Sequence, residues 1–152
     1  MSTRSSIGIH DETTNTVTAV YCHWDGYPRN NGRILMEYYD TPKKVKELIS
    51  YGDISSLKPT IGVEHPFENP GRFDTPEWYE HRVKYQDQCT FYGRDRGEEV
   101  IVREYENQEE LFDSNVTVEF FYVMSNGVWY MKDATKDSWE LLSDVMAEIG
   151  VI

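Results

Sequence analysis

Residues 115–134, which read NVTVEFFYVMSNGVWYMKDA, decide the fold class of this chain. Two runs rich in β-branched and aromatic residues flank Asn126-Gly127, the favoured pair for a type I′ turn between antiparallel strands. We therefore predict a β-hairpin here. Strand pairs joined by short turns, with helical patterns at intervals between them, are typical of an α+β domain.

Two further pairs of strand-like runs lie upstream of this hairpin. SSIGIH (residues 5–10) and TVTAVYCHW (16–24) flank the polar DETTN and predict one hairpin. QCTFYG (88–93) and EVIVREY (99–105) flank the charged, turn-like RDRGE and predict another. The three hairpins together supply about six strands.

The clearest helical pattern is DTPKKVKELISYGD, residues 40–53. Thr41 is placed to cap the helix, Pro42 suits its first position, and Gly52 can end it. The preceding NNGRILMEYYD (30–40) also has helical spacing, and we expect one of its asparagines to act as the N-cap.

Three later segments carry weaker helical patterns. TPEWYEHRVKY (75–85) predicts a short helix that starts near Asp74 or Thr75, and NQEELFD (107–113) predicts a single turn. SWELLSDVMAEIGVI predicts a C-terminal amphipathic helix packed on the sheet. Its apolar face would consist of Trp139, Leu142, Met146 and Ile149.

We therefore predict an α+β fold with an antiparallel sheet of about six strands in hairpins and three or four helices. The length of 152 residues suits a single domain that spans residues 1–152. A long loop rich in proline and glycine is expected at about residues 53–76, and loops of this length are often functional.

The formal net charge is −12, and it is unevenly distributed along the chain. Residues 1–63 contain seven Lys or Arg and seven Asp or Glu, whereas residues 64–152 contain eight and twenty. An acidic surface repels nucleic-acid phosphate and attracts basic proteins, so we expect no direct nucleic-acid partner. The alternative is that the acidic residues serve only solubility.

The sequence also predicts the compartment. No apolar run approaches the roughly 18 residues of a membrane-spanning helix, and the N-terminal MSTRSSIGIHDETT lacks the apolar core of a signal peptide. We expect a cytoplasmic protein with no membrane partner. Cys22 and Cys89 are too few for a disulfide scaffold and are expected to be free thiols.

The sequence motifs of common catalytic and nucleotide-binding sites are missing. There is no phosphate-binding loop, no dinucleotide glycine fingerprint and no G-x-S-x-G turn. Zinc-ligand spacings are also missing, and a mixed site would need His10, Cys22, His23 and Cys89 to converge. We predict no metal, no cofactor and no catalytic residue, although the sequence leaves the question of enzymatic activity open.

The unusual segment VYCHWDGYPRNNG (20–32) is the best candidate site. Adjacent strand residues face opposite sides of a sheet, so Cys22 and His23 cannot easily form a nucleophile–base pair. His23 and Asp25 share a face if the strand continues, and a carboxylate beside an imidazole is a common acid–base element. The predicted ligand- or partner-binding residues are Arg4, His23, Trp24, Asp25, Tyr27, Arg29, Asn30 and Asn31.

A structural interpretation of this segment stays open beside the functional one. Trp24 would then be a core residue, Asp25-Gly26 a turn, and Asn30 or Asn31 a helix cap. Arg4, at the start of the first strand, is expected to pair with Asp25 or Asp53 or to bind an anion.

Three motifs in order, TRSSIGI, VYCHWDGYPRNNGRIL and KVKELISYGDISSL, resemble a family of small accessory proteins of tailed bacteriophages. The resemblance covers roughly residues 3–57, and YCHWDGYP is its most specific element. No activity is assigned to the family, so it implies no catalytic residues. It implies a phage protein in the host bacterial cytoplasm that binds and blocks a host or defence component.

Two functions follow from these observations. In the first, an acidic, aromatic-rich surface of residues 64–152 inhibits a host or anti-phage defence protein by occupying its basic nucleic-acid-binding surface. In the second, residues 22–31 form a small-molecule or nucleotide site that sequesters or hydrolyses its ligand. The first is favoured, a virion role is a third alternative, and the sequence predicts no oligomeric state.

Overall fold

The computed structural model describes residues 2–151, so Met1 and Ile152, the ends of the predicted domain, lie outside the described residues. The α+β class is confirmed. In chain order the elements are β1 (Ser5–Asp11), β2 (Thr16–Cys22), a π-helical segment (Pro28–Gly32), α1 (Arg33–Tyr38), α2 (Pro42–Ser50), β3 (Ile54–Ser56), α3 (Pro76–Tyr85), β4 (Thr90–Phe91), β5 (Arg103–Tyr105), α4 (Gln108–Asp113), β6 (Phe120–Ser125), β7 (Val128–Asp133), β8 (Glu140–Leu141) and α5 (Leu142–Glu148).

The sheet is mixed and has eight strands in the described part of the chain, so the prediction of an antiparallel sheet with about six strands is wrong. Its order is β4-β3-β2-β1-β6-β7-β8, and β5 also pairs with β2. β1 runs parallel to β6, with Ile7 aligned to Tyr122, and β2 runs parallel to β3. Turn signals report only strands that are neighbours in sequence, whereas a parallel partner can lie far along the chain.

Two of the three predicted hairpins are confirmed. β1 pairs antiparallel with β2 over their full length, and β6 pairs antiparallel with β7. The turn between β6 and β7 places Asn126 at φ 52° and Gly127 at φ 77°. Both angles lie in the left-handed region that a type I′ turn requires, which explains why this pair marks the hairpin so clearly.

The third predicted hairpin is wrong, because β4 pairs with β3 and β5 pairs with β2. The β2–β5 ladder aligns Ala19 with Arg103, so its continuation would align Tyr21 with Ile101. The Asp53 side chain takes that place: its Oδ1 accepts the Tyr21 N–H at 2.9 Å and lies 3.3 Å from Arg103 Nη1. This carboxylate separates residues 98–102 from the sheet.

Both faces of the sheet are buried. On one face, alternate strand residues such as Val20, Cys22 and Tyr122 pack with side chains of α1, α2 and α5. On the other, Val17, Ala19, Phe121 and Val123 pack with Leu111 of α4. Burial on both faces explains why β6 is an almost continuous apolar run.

The C-terminal helix starts later than its sequence pattern indicates. α5 begins at Leu142 and adds Leu142, Val145 and Met146 to the first cluster. Trp139 precedes β8 and packs against the second cluster, on the opposite face of the sheet. The predicted face containing Trp139 is therefore wrong, because residues 140–141 are extended and pair with β7.

The ends of the other helices are set by local chemistry. Thr41 Oγ1 accepts the Lys44 N–H at 3.3 Å, and Gly52 follows α2 with φ 81°, as predicted. The predicted asparagine cap is wrong, because helical structure begins after Tyr27 without a side-chain cap, so the two asparagines lie inside it. The predicted loop at 53–76 contains β3, and α3 and α4 lie where short helices are predicted.

Candidate functional site

The predicted site segment leaves the end of β2 and crosses the edge of the sheet. The N–H groups of His23 and Trp24 donate to the carbonyls of Ile54 and Ser55, each at 3.0 Å. The Gly26 N–H donates to Thr3 O at 2.8 Å. The backbone of the segment is therefore fixed on both sides, by β3 and by the residues that precede β1.

Asn31 is the centre of the segment and is fully buried. Its Nδ2 lies 3.1 Å from Ser5 Oγ, 3.4 Å from Cys22 Sγ and 3.5 Å from Trp24 O. Its Oδ1 accepts from Asn30 Nδ2 at 2.9 Å. One buried amide thus ties together β1, the end of β2 and the π-helical segment, which a helix cap would not do.

The turn at Asp25-Gly26 is equally well fixed. Asp25 has φ 55°, and its carbonyl accepts from Asn30 Nδ2 at 3.1 Å. A Cβ on Gly26 would lie 2.7 Å from Ser5 Cβ and 2.8 Å from Thr3 O, closer than side chains approach. The hydroxyl of the buried Tyr122 donates to Gly26 O at 2.6 Å. The YCHWDGYP segment is therefore required by packing, whatever else it does.

His23 contacts Tyr21, and its predicted partner Asp25 makes no such contact. Tyr21 Oη lies 2.7 Å from His23 Nδ1, and the Trp24 ring meets the imidazole edge-on at 4.7 Å between centroids. Burial and then the positive charge of Arg4 lower the pKa of His23. The ring is therefore neutral at physiological pH and available for a single hydrogen bond or for stacking.

Arg4 lies beside Tyr21 and His23, not in the predicted ion pairs. It forms no ion pair with Asp25 or Asp53 in the described structure, and Asp53 pairs with Arg103 at 3.3 Å. Its backbone N–H donates to Glu119 Oε2 at 3.0 Å. Arg4 and His23 are thus partly buried, whereas the neighbouring Trp24 is 43% exposed.

The remaining candidates divide by exposure. Tyr27 is 41% exposed, and Asp25 is exposed as well. Arg29 Nη2 donates to Ile149 O at 2.7 Å and thereby joins the π-helical segment to the end of α5. Arg29 is exposed and uses one guanidinium nitrogen within the protein, whereas the Asn30 and Asn31 amides both bond internally.

Both cysteines are free, as predicted, and both are buried. Cys22 faces the first cluster while His23 contacts Tyr21, whose side chain packs against the second cluster, so the two neighbours lie on opposite faces. Burial raises the pKa of Cys22 to about 12, and burial also raises the pKa of Cys89. A protonated, buried thiol is a poor nucleophile.

This burial predicts that neither thiol reacts with iodoacetamide in the folded protein at mildly alkaline pH. Both should be alkylated within minutes once urea unfolds the chain, because the pKa and the access return to those of a free cysteine. Mass spectrometry of the intact protein measures the extent. Val116→Cys, at a position that is 89% exposed, provides a thiol that should react without urea. Native labelling of Cys22 at the rate of that control would contradict the assignment.

A cleft of about 840 Å³ lies far from the predicted segment, at the other end of β1 and β2. It is bounded by α2, the β1–β2 loop, the β6–β7 turn and Val102. Its lining includes Ile49, Met124 and Thr18 as well as His10 and Lys46. No motif could reveal this cleft, because four segments distant in sequence contribute to it.

A second cleft, of about 420 Å³, lies between the 57–75 loop and α3. The buried His65 ring has both nitrogens 3.0 Å from backbone carbonyls, of Pro66 and Cys89, and stacks on Tyr85 at 4.9 Å. His81 Nδ1 lies 2.8 Å from Asn69 Oδ1, while Nε2 is buried with no partner among the described residues. Burial lowers the pKa of His81.

A buried carboxylate supports this second cleft. The Asp95 side chain is fully buried, and its Oδ1 accepts the His65 N–H at 3.1 Å and Arg94 Nε at 3.0 Å. Its Oδ2 accepts the Phe91 N–H at 2.8 Å and Arg94 Nη2 at 3.2 Å. The RDRGE stretch is thus a turn built around Asp95, which directs the chain away from β4.

The chain that follows this turn is exposed and unpaired on its outer side. Within the described residues, backbone hydrogen bonds join β5 to β2 only, and residues 99–102 form none. Val100, Ile101 and Val102 are 53%, 37% and 42% exposed. We call residues 99–105 the open edge. The strand propensity of EVIVREY is visible in the sequence, but its predicted pairing with QCTFYG is wrong.

The open edge lies within a strongly acidic stretch, residues 98–119, which we call the acidic segment. It contains eight Asp or Glu residues and one basic residue, Arg103, which is paired with Asp53. Glu99, Glu104 and Glu106 are exposed beside the apolar side chains. Apolar side chains with a charged rim are the arrangement found in many protein-binding surfaces.

No group of three or more potential metal ligands lies together among residues 2–151. Across the same residues, none of the helices has the length and apolar character needed to cross a membrane. No family model, curated protein or solved structure was found to match the chain. The resemblance to phage accessory proteins therefore stays a prediction.

Proposed function

We propose that this protein is a non-enzymatic inhibitor that binds a host or anti-phage defence protein in the cytoplasm of a phage-infected bacterium. The observation that carries the proposal is the open edge: three adjacent, exposed apolar side chains with unpaired backbone, inside the acidic segment. Such an edge is costly to expose in a monomer, so it is expected to have a partner.

The charge of the acidic segment indicates the kind of partner. Its carboxylates are exposed, and the single arginine is already neutralised by Asp53. A surface of this sign accelerates association with a basic protein and repels nucleic-acid phosphate. We therefore propose that the protein covers a basic, nucleic-acid-binding surface of its target, which prevents the target from binding nucleic acid.

A small-molecule or nucleotide site at residues 22–31 is the second candidate. Arg4, His23 and Trp24 support it, since they offer a cation, a neutral imidazole and an exposed ring in one place. Asn30, Asn31 and Arg29 already bond within the protein, so fewer polar groups remain for a ligand than the sequence predicts. We place this function second for that reason.

Capture of partners from a bacterial lysate tests the proposed function. The tagged protein is compared with a triple variant, Glu99→Gln, Glu104→Gln and Glu106→Gln. We expect the variant to retain about tenfold less of the specific partner, since each rim charge contributes up to about 1 kcal/mol. Quantitative mass spectrometry measures the retained partner, and raised salt should weaken capture by the original protein.

The matched control removes the same charge elsewhere. Glu64, Glu68 and Glu148 are exposed and lie outside the acidic segment, so replacing all three with glutamine leaves the net charge of the two variants equal. This control should retain its partner. Equal capture by the original protein and both variants, or no specific partner at low or high salt, would refute the proposal.

A further inference from the structure

The open edge has the geometry of an incomplete sheet. β5 pairs with β2 through residues 103–105, and the outer side of β5 pairs with no strand among the described residues. In antiparallel sheets alternate residues of an edge strand direct their N–H and C=O groups outward. Residues 99–102 directly precede β5, and their backbone N–H and C=O groups form no backbone hydrogen bonds. The edge can therefore accept one more strand.

The fold explains why residues 99–102 do not continue the ladder that β5 forms with β2. Asp53 occupies the Tyr21 N–H to which the ladder would extend, and Arg103 holds that carboxylate in place. The virtual Cβ of Gly52 lies 2.9 Å from the Ile101 nitrogen, so a side chain there would displace the edge. Residues 99–102 are thus held close to the sheet, yet outside it.

We infer that the open edge binds an extended, lysine- or arginine-rich segment of the partner by addition of a β-strand. This inference rests on the proposed function and specifies its binding mode. Exposed valine and isoleucine side chains give cross-strand contacts, the free backbone groups give the ladder, and Glu99, Glu104 and Glu106 face cationic side chains.

A second copy of this chain fits the edge less well. Antiparallel pairing of two edges about Ile101 would oppose Glu98 to Glu104 and Glu99 to Arg103. The first pair opposes two carboxylates, each Glu98 being paired with Arg96 at 3.1 Å, and Arg103 is already engaged by Asp53. Each copy also carries a net charge of −12, which opposes association at low salt. The charges therefore favour a basic partner.

Synthetic peptides provide a direct test with the full chain. The probe is a short peptide in which lysine and valine alternate. Two controls are the same peptide with glutamate in place of lysine, and the lysine peptide with every backbone nitrogen methylated, which lacks the N–H donors of a ladder. We expect each control to bind at least about tenfold more weakly than the probe. Calorimetry measures the affinities, and hydrogen exchange should show protection gained at residues 99–105.

Two variants of the protein locate the binding site. Val102→Lys adds a positive charge to the open edge, and we expect about tenfold weaker binding of the lysine–valine peptide. Val116→Lys makes the same change in the acidic segment at a position that is 89% exposed and outside the edge. It should bind nearly as well as the original protein. Both variants replace exposed side chains, so circular dichroism should show intact folds.

The outcomes separate the binding mode from the proposed function. Equal binding of the methylated and unmethylated lysine peptides would overturn strand addition. It would leave the proposed function untouched if the partner is still captured from the lysate. Failure of every basic peptide to bind, with partner capture intact, would overturn strand addition in the same way. Protection of residues 99–105 that appears without peptide and rises with protein concentration would overturn it in favour of a second copy.

Discussion

Replacing Asp95 with alanine is expected to lower the free energy of unfolding by about 3–5 kcal/mol, because the change leaves Arg94 as a buried, uncompensated charge. The Arg94 side chain is only 12% exposed. The N–H groups of Phe91 and His65 lose their acceptor as well. Urea denaturation followed by circular dichroism measures the loss. If the alanine variant does not fold, the free energy of unfolding is measured for Asp95→Asn. This variant keeps one acceptor oxygen and should be less destabilised.

An exposed ion pair provides the control for this prediction. Arg33 and Glu37 pair at 3.3 Å with side chains 43% and 48% exposed. Glu37→Ala should cost less than about 1 kcal/mol, since solvent screens exposed pairs. Similar losses for Asp95→Ala and Glu37→Ala would show that the buried carboxylate does not organise the turn.

Replacing Asn31 with alanine is expected to lower the free energy of unfolding by about 2–4 kcal/mol. The change removes the hydrogen bonds to Ser5 Oγ and Trp24 O, both of which stay buried or partly buried, and it leaves a small cavity. Because Asn31 Nδ2 also contacts Cys22 Sγ at 3.4 Å, we expect faster alkylation of Cys22 in the variant. The two readouts are urea denaturation and the rate of thiol labelling.

Asn30→Ala is the neighbouring control. Its amide donates to Asp25 O at an exposed position and to Asn31 Oδ1 at a partly buried one, so the free energy of unfolding should fall by about 1–2 kcal/mol, less than for Asn31→Ala. Labelling of Cys22 should stay slow. If the Asn30 and Asn31 variants were equally stable, the buried amide would not be the centre of the segment.

The sequence predicts the locally encoded parts of this fold well. Asn126-Gly127 defines its hairpin because both residues tolerate positive φ, and Thr41, Pro42 and Gly52 define α2 for equally local reasons. The parallel pairing of β1 with β6 has no such signal, since nothing in either strand specifies a distant partner. The same limit explains why EVIVREY was predicted as a strand but paired incorrectly.

The candidate site shows the same division. Strand alternation correctly separates Cys22 from His23, because side-chain direction in a strand is a local property. The burial of Asn31 could not be predicted, since its partners come from β1 and the end of β2. Arg4 lies near the segment, as expected. Asp53, however, pairs with Arg103. Nothing in the sequence links these two residues, because they are far apart along the chain.

The parallel pairing of β1 with β6 also sets the order of events during synthesis. Phe120, the partner of Ser5, is synthesised roughly 6–23 s after it at about 5–20 residues per second. Throughout that interval the β1–β2 hairpin leaves the ribosome with an unpaired apolar edge and two uncovered faces. Contact with α2, which follows β2 directly in the chain, is the packing that this hairpin can gain before the last strands emerge.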